Sequence, residues 1–461
     1  MKLNSRVVGA LIAILFFAFC VASIKTKPES WNDIARVASI ESLVERGTWA
    51  IDGSAWLDRT ADKVFLGGKF YSDKLPLLSV IGAGVYAIVR NAFGASLAPD
   101  CAQCAYAPLT LILVALPVAL TLWVFFDFAA RQNMPVWIGT LGTVALGAGT
   151  MLLPYALVLN HHVPAACALF ASFYFLWRGL SSPQSQTRKF APLAAGFFAA
   201  LAIAFDIPSG IIAASLFGIA LTRYRVDVFF FALGGAVPIA ITALLDYQVA
   251  GTIIPAYLIP EGYAYPGSEF PAIIGGNAGT PDDYVAYAFR MFLGGKGLFA
   301  YNPLLIFAFI GALRVAFTRT NFLRIEGAWI AFGFSALCVY LATGTGNFGG
   351  NAYGERWFIP AIPVLFAFIF CAPPLSEIRN WKLDVGSNST RQAVQRPTST
   401  QSVQHLTVIA GWLLLIAALA LSIFSSLQGA QAPWQDILPP LQMTRSSQFP
   451  IFGFRWNVRL P

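Results

Sequence analysis
The chain has 461 residues, of which 57% are hydrophobic and 11% charged, with a formal net charge of +8. Soluble domains carry roughly 25% charged residues, so this composition excludes an ordinary soluble enzyme. It also speaks against a nucleic-acid binder, since no basic run is interleaved with aromatics. What remains is an all-α, polytopic transmembrane helical bundle, because lipid leaves an open chain no other way to satisfy its backbone hydrogen bonds.

The first apolar run, Val7–Ile24, follows Lys2 and Arg6. Val21-Ala22-Ser23 has the form of a signal cleavage site, but the run is long for a signal core and reads as an uncleaved helix with a cytoplasmic start. Lys25 to Leu75 is then a polar loop on the outer face, rich in charge for this chain, with Asp33, Arg36, Glu41, Glu45, Asp52, Asp58, Asp62, Lys63, Asp73 and Lys74. Trp31 to Arg46 contains no Pro or Gly and reads as a short interfacial amphipathic helix with Asp33 on the side of Val37, Ile40 and Val44. A carboxylate there is either functional, because burying it alone is costly, or a first-turn residue after a Ser30 cap. Asp73-Lys74 stands at the entrance to the next run, either as a site or as an interfacial anchor before a first-turn Pro76.

The further apolar runs are Pro76–Phe93, Leu109–Phe128, Val136–Leu153, Val163–Trp177, Ala191–Phe205, Ser209–Leu221, Val228–Val249, Tyr301–Phe317, Gly327–Ala342, Phe358–Cys371 and Leu406–Ser425. With the first run these give about 11–13 spans of the ~20-residue length that crosses a bilayer. Arg178, Arg188 and Lys189, then Arg223 and Arg225, then Arg314, Arg319 and Arg324, then Arg379, Lys382, Arg391 and Arg396 mark four connections as cytoplasmic. The loops between them fall on the outer face. Counting from the N-terminus leaves one helix too many before His161, so one run within Pro76–Leu153 is re-entrant, split or not a span.

The expected organisation is a transmembrane catalytic domain over 1–372 including the outer loop 25–75, a flexible cytoplasmic linker over 373–405, a last transmembrane helix at 406–426 and a short outer tail at 427–461. Asn388-Ser389-Thr390 is a formal glycosylation sequon that this topology puts on the wrong side. Cys101 and Cys104 form one C-x-x-C, read as two ordinary loop thiols or a disulfide on an oxidising face; the other four Cys sit in apolar runs.

Several outer segments carry residues with chemistry. Asn160-His161-His162 separates two runs and holds two of the three His of the chain. Adjacent His on a helix do not share a target, so one of them reads as structural, and a metal site would need a third ligand from the first loop. A divalent metal is therefore possible but no ligand set is assigned. Gly344–Arg356 combines flexible backbone, Asn347, Asn351, Tyr353, Glu355 and an Arg, a combination suited to an anion such as phosphate. The alternative is an ordinary loop in which Arg356 pairs with Glu355. Gly294-Gly295-Lys296-Gly297 has the same character, and Asp206 before Pro208 reads as a helix-end carboxylate.

Taken in order, Asn32-Asp33, Tyr71-Ser72-Asp73-Lys74-Leu75-Pro76 and Gly354-Glu355-Arg356 before Pro360 and Pro363 resemble the GT-C superfamily of integral membrane glycosyltransferases. The likeness is to relatives of the protein O-mannosyltransferases and the lipid A aminoarabinose transferases. Leu75 stands where those relatives carry the first Pro of a Lys-Pro-Pro stretch, and Asn160-His161-His162 where many have an acidic residue. Gly294-Gly295-Lys296-Gly297-Leu298-Phe299 is similar to a segment of bacterial members. The resemblance implies short interfacial helices in the first outer loop and a polyprenyl-phosphate sugar donor. It also implies a lipid, glycan or protein acceptor and a bacterial plasma-membrane location. It gives Asp33 and His162 catalytic roles, and Lys74, Arg356 and Lys296 the donor phosphate. Asn32, Tyr71, Asp73, His161, Tyr353 and Glu355 would contact substrate. Two other functions compete. A transporter or flippase of lipid-linked glycans would keep its charges near mid-membrane, whereas here they concentrate in loops. A non-catalytic assembly subunit would keep the fold alone.

Overall fold
A computed structural model describes residues 5–181, 185–270, 283–344, 349–376 and 399–435. Asn347, the sequon at Asn388, most of the expected linker and the tail beyond 435 lie outside the described residues. The helices are α1 (Ser5–Ser23), α2 (Trp31–Arg46), α3 (Pro76–Phe93), α4 (Gln103–Arg131), α5 (Val136–Ala148), α6 (Leu152–Ala156), α7 (His162–Leu180) and α8 (Ser185–Phe205). They continue with α9 (Gly210–Tyr224), α10 (Val228–Ala250), α11 (Tyr284–Phe292), α12 (Leu304–Phe317), α13 (Arg324–Gly344), α14 (Arg356–Phe366) and α15 (Ser399–Gln431). The apolar runs read from the sequence are mostly helical, with Val136–Leu153 broken between Ala148 and Leu152. The helix α15 starts at Ser399, inside the segment expected to be a flexible linker.

Among the described residues, seven helical segments are long and apolar enough to cross a membrane, and four shorter apolar helices accompany them. The chain is thus an integral, multi-pass membrane protein. Its crossing helices pack closely through small residues. Gly196 on α8 abuts the Phe231 backbone and Gly234 on α10 abuts the Leu193 backbone, leaving no room for a Cβ at either contact. An aromatic core joins α4, α7 and the segment after α14: the Phe125 ring lies 5.7 Å from Phe170 and 5.6 Å from Phe370.

The surplus helix before His161 is α3. The start of α2 sits beside the start of α4, where Tyr106 Oη–H donates to Asp33 (2.8 Å). Just past the other end of α2, Trp49 donates its indole N–H to Gln248 (3.4 Å), near the end of α10. Both ends of α2 therefore lie at one end of the bundle, and α2 runs across it. Helix α3 runs alongside in the same direction: Ile40 fills the space over Gly82, and Glu45 pairs with Arg90 and Tyr86. Beyond α3, Leu97 is held by the same loop, its carbonyl accepting from Trp56 Nε1 (2.8 Å) and its N–H donating to Tyr86 Oη (3.0 Å). A helix of 18 residues is about 27 Å long, so a crossing α3 would carry Leu97 to the opposite face. With α3 lying along the surface, the remaining helices alternate in direction. The first loop, His161 and Arg356 then share one end, and Arg223, Arg314 and Arg324 the other.

Two further expectations change. Helix α2 is not half-exposed: Asn32 through Ser42 are buried, because α3 covers one side and the rest of the loop the other. The first loop also contains a β-hairpin in an otherwise helical fold. Strand β1 (Lys63–Leu66) pairs antiparallel with β2 (Lys69–Ser72), Lys63 opposite Ser72. Gly67 and Gly68, both at positive φ (57° and 80°), make the two-residue turn that only such residues form easily.

Candidate active site
At the end of the bundle shared by the first loop, a cavity of about 780 Å³ opens. Helix α2 presents Asn32 and Arg36 to it, one helical turn apart on the same face. The hairpin sets the next group. Thr60 ties the loop to α2 by donating to Trp31 O (3.0 Å) and accepting from Asp62 N–H (3.0 Å). The strand pair then brings Asp62 next to Asp73, whose N–H donates to Asp62 O (3.3 Å). Lys74 bridges the two carboxylates, 2.6 Å from Asp62 and 3.0 Å from Asp73, and Tyr263 donates to Asp73 from across the cavity (3.2 Å).

The opposite wall comes from the ends of crossing helices. His161 and His162 precede and begin α7, and Asp206 follows α8. His162 Nδ1 lies 2.9 Å from Asp206 and His161 Nε2 3.8 Å from it, with the two imidazoles tilted by 36° and their centroids 3.9 Å apart. Both His face Asp206, His161 from the N-cap position and His162 from the first helical position. The third member of the cluster is Asp206, not a residue of the first loop. The donor atoms of the three lie within 4.8 Å of one another, and His161 Nδ1 and His162 Nε2 are buried without a hydrogen-bond partner. Two imidazoles and a carboxylate are a donor set that suits Zn²⁺, so these residues fit a divalent metal. Burial, helped by His162 and the nearby cations, holds the His161 imidazole well below its ordinary pKa, in the neutral form that metals bind.

The cavity collects unsatisfied charge. Arg36 is 1% exposed, and its Nε and Nη1 have no acceptor among the described residues. Burial lowers it to about 10, against the pull of Asp73, Asp62 and Asp206. Arg356 also lines the cavity with a buried Nε that has no partner among the described residues. Asn32 Oδ1 is buried and unpartnered too. Asp73 is raised to about 6, by burial first and by Asp62 next, with Lys74 opposing.

Other residues singled out from the sequence sit off the cavity wall. The Asp33 carboxylate completes a capping box: it accepts from Ser30 N–H (2.8 Å), Glu29 N–H (3.1 Å) and Tyr106 Oη–H (2.8 Å). It does not line the cavity; burial nonetheless raises it to about 7. Lys296 donates to the carbonyls of Gly350 (3.0 Å) and Ala352 (2.6 Å) and so shapes the loop before Arg356 from behind. Tyr353 is buried against Tyr301 and shares a hydrogen bond with Ser425 (2.6 Å). Tyr71 packs in a small cluster with Val64 and Tyr263. Glu355 is fully buried beside Arg356, raised to about 7 by burial, and not on the wall. Sequence reasoning passed over Arg36, although its spacing from Asn32 marks one face of α2. It also read Asp206 as a plain helix end, when its position before Pro208 on the His161 side was the available signal.

No protein-family model matches the sequence, and no curated protein does. Solved structures do match. The apo oligosaccharyltransferase of Archaeoglobus fulgidus superposes with a TM-score of 0.54 and 12% identity, covering 94% of this chain and 56% of its own. Its complex with zinc and sulfate gives 0.51 and 15%, covering 94% and 53%. ArnT of Cupriavidus metallidurans, bound to undecaprenyl phosphate, gives 0.48 and 16%, covering 92% and 75%. The chain spans little more than half the length of the oligosaccharyltransferase. On the oligosaccharyltransferase superpositions, the chain has the GT-C fold of membrane glycosyltransferases.

Proposed function
We propose that the chain is a glycosyltransferase that moves a sugar from a polyprenyl-phosphate donor to an acceptor hydroxyl in this cavity. One observation carries the reading: Arg36 and Arg356 expose buried N–H groups without acceptors on the same wall system that holds Asp73 and the His161–His162–Asp206 cluster. A buried guanidinium without an acceptor is costly in itself, and a phosphate supplies the missing acceptors in a planar, forked geometry. A lipid-linked phosphate lies at the membrane interface, which is the depth of these groups at the ends of the crossing helices.

In the reaction the bond from the sugar anomeric carbon to the phosphate oxygen breaks and a bond to the acceptor oxygen forms. The acceptor proton goes to Asp73, whose raised pKa suits a base near neutral pH. Polyprenyl phosphate leaves with its added charge held by Arg36 and Arg356. Lys74, fixed between Asp62 and Asp73, keeps the base ionised and in place. His161, His162 and Asp206 would hold a divalent cation, which when bound supplies further positive charge to the same pocket. Asp33 acts through Tyr106, whose hydroxyl accepts from Leu159 N–H (3.1 Å) and so anchors the segment that bears both His. The charge bias of membrane loops favours a cytoplasmic Arg-rich opposite end, and this supports an outer-face position for the cavity.

The test is a transfer assay on purified protein in vesicles with a panel of polyprenyl-phosphate sugars and candidate lipid, glycan and peptide acceptors. Donor consumption with release of polyprenyl phosphate, lost in Arg36→Met, is the expected result. Movement of intact donor across the bilayer without consumption would replace this reading with a flippase.

A further inference from the structure
The last crossing helix does not simply leave the bundle at this end. Its final turns are fastened: Ser422 Oγ accepts from Leu304 N–H (3.2 Å), Tyr353 and Ser425 hydroxyls pair at 2.6 Å, and Ser426 donates to Thr150 O (2.7 Å). Lys25 donates to Gln431 O. The chain then folds back, Pro433 O accepting from Tyr353 N–H (3.0 Å), and delivers Trp434 to the cavity wall.

The indole is 6% exposed and stands edge-on to Tyr155, with ring centroids 5.6 Å apart at 79°. The Arg356 guanidinium lies over the Trp434 ring, 5.3 Å from its centroid. Both partners keep a buried donor without an acceptor among the described residues: Trp434 Nε1–H and Arg356 Nε–H. A buried indole N–H ordinarily finds a partner, and packing alone is served as well by a Phe. A desolvated cation–π contact is also worth most where water is excluded, and it fixes the plane of the guanidinium fork.

We propose that Trp434 is part of the donor-phosphate site: its ring holds the Arg356 guanidinium in register, and its indole N–H donates to the phosphate that Arg356 binds. This rests on the polyprenyl-phosphate reading above. It makes the segment after the last crossing, which had been expected only as an outer tail, a working part of the pocket. The two residues that form the pair come from loops far apart in sequence, and the docked end of α15 is what brings them together.

The experiment measures equilibrium binding of labelled undecaprenyl phosphate to the full-length protein in micelles, for the parent, Trp434→Phe, Trp434→Ala, Arg356→Ala and the double variant with Ala at both positions. Trp434→Phe keeps the ring and removes the donor; it is expected to weaken binding ~10-fold, the scale of one hydrogen bond to a charged group. Trp434→Ala should weaken it further. The double variant should bind within ~3-fold of Arg356→Ala, because the two residues act as one unit. In the transfer reaction the donor KM should rise while the acceptor KM stays, a split that general loss of structure does not produce. Should Trp434→Ala fail to fold, the more conservative, aromatic Phe variant decides. Parent-like binding by Trp434→Phe, or losses that add in the double variant, would overturn the role of Trp434. A parent protein that binds no undecaprenyl phosphate would remove this inference together with the proposed function, whereas a parent that binds and variants that match it remove this inference alone.

Discussion

Arginines stand at both ends of this bundle, and they are treated differently. At the end with the basic connections, Arg223 meets Glu326 through two nitrogens, at 2.8 and 2.9 Å, and the carboxylate is 1% exposed. Arg314 there is likewise occupied by Cys371 O and Ser376. At the cavity end, Arg36 and Arg356 keep nitrogens with no acceptor. A guanidinium whose forks are filled by the protein holds helices together. One whose forks are empty raises the free energy of the folded chain until an anion arrives, so its place is explained by binding rather than by stability.

The largest effect that would break this contrast is at Arg223. Arg223→Ala leaves Glu326 buried without its partner, which typically costs roughly 3–5 kcal/mol. Thermal or denaturant unfolding in detergent should show that loss, while undecaprenyl phosphate affinity stays at the parent value. A stable variant would mean that the pairing at this end is as dispensable as an exposed ion pair. Arg36→Met is the mirror experiment. Turnover should fall ~10²–10³-fold, the scale for removing one preorganised charge donor, while stability stays level or rises. If unfolding shifts down instead, Arg36 is a structural residue and the contrast fails.

Asp73 sharpens the contrast through pH. Its folded value of about 6 lies above that of an unfolded Asp, so protonation favours the folded state. The group therefore contributes stability at acid pH that is lost as pH rises through about 6. The proposed base works only when ionised, so kcat/KM should rise across that same window. Asp73→Asn should cost ~10²-fold in turnover and flatten both dependences. Stability and activity that rise together with pH would place the titrating group elsewhere. The smallest effect is expected at Tyr106→Phe, which removes one neutral link between Asp33 and Leu159. A loss of about 1 kcal/mol in stability with donor KM unchanged would mark Asp33 and Tyr106 as support for the histidine segment. A ~10²-fold fall in turnover at full stability would return Asp33 to the chemistry.

How much was legible from the sequence differs by residue. Arg356 and Lys74 were readable because each stands at the start of an apolar run, a position fixed by chain order and lipid alone. His161 and His162 were readable as a pair but not as a cluster, since Asp206 reaches them only through the packing of α8 on α7. Asp33 showed both its possible roles in the sequence, and the structure shows the capping contacts, with Ser30 and Tyr106 as partners. Helix α3 misled because its apolar length equals that of a span; what lays it across the end of the bundle is Glu45 and Trp56, neither of which it contains.

By itself, then, the sequence determined which segments are apolar enough to enter lipid and which are too polar to do so; for α3 the tertiary contacts decided. Apolar length and the bias of Lys and Arg act on each segment separately, without reference to its neighbours. The tertiary structure alone decided which edge groups meet, because an imidazole, a carboxylate or a guanidinium finds or lacks a partner only after the helix ends converge. Trp434 is the clearest case. Nothing near it in sequence marks it, and its place over Arg356 exists only because Ser422, Ser425 and Ser426 dock the end of α15 against three other parts of the chain.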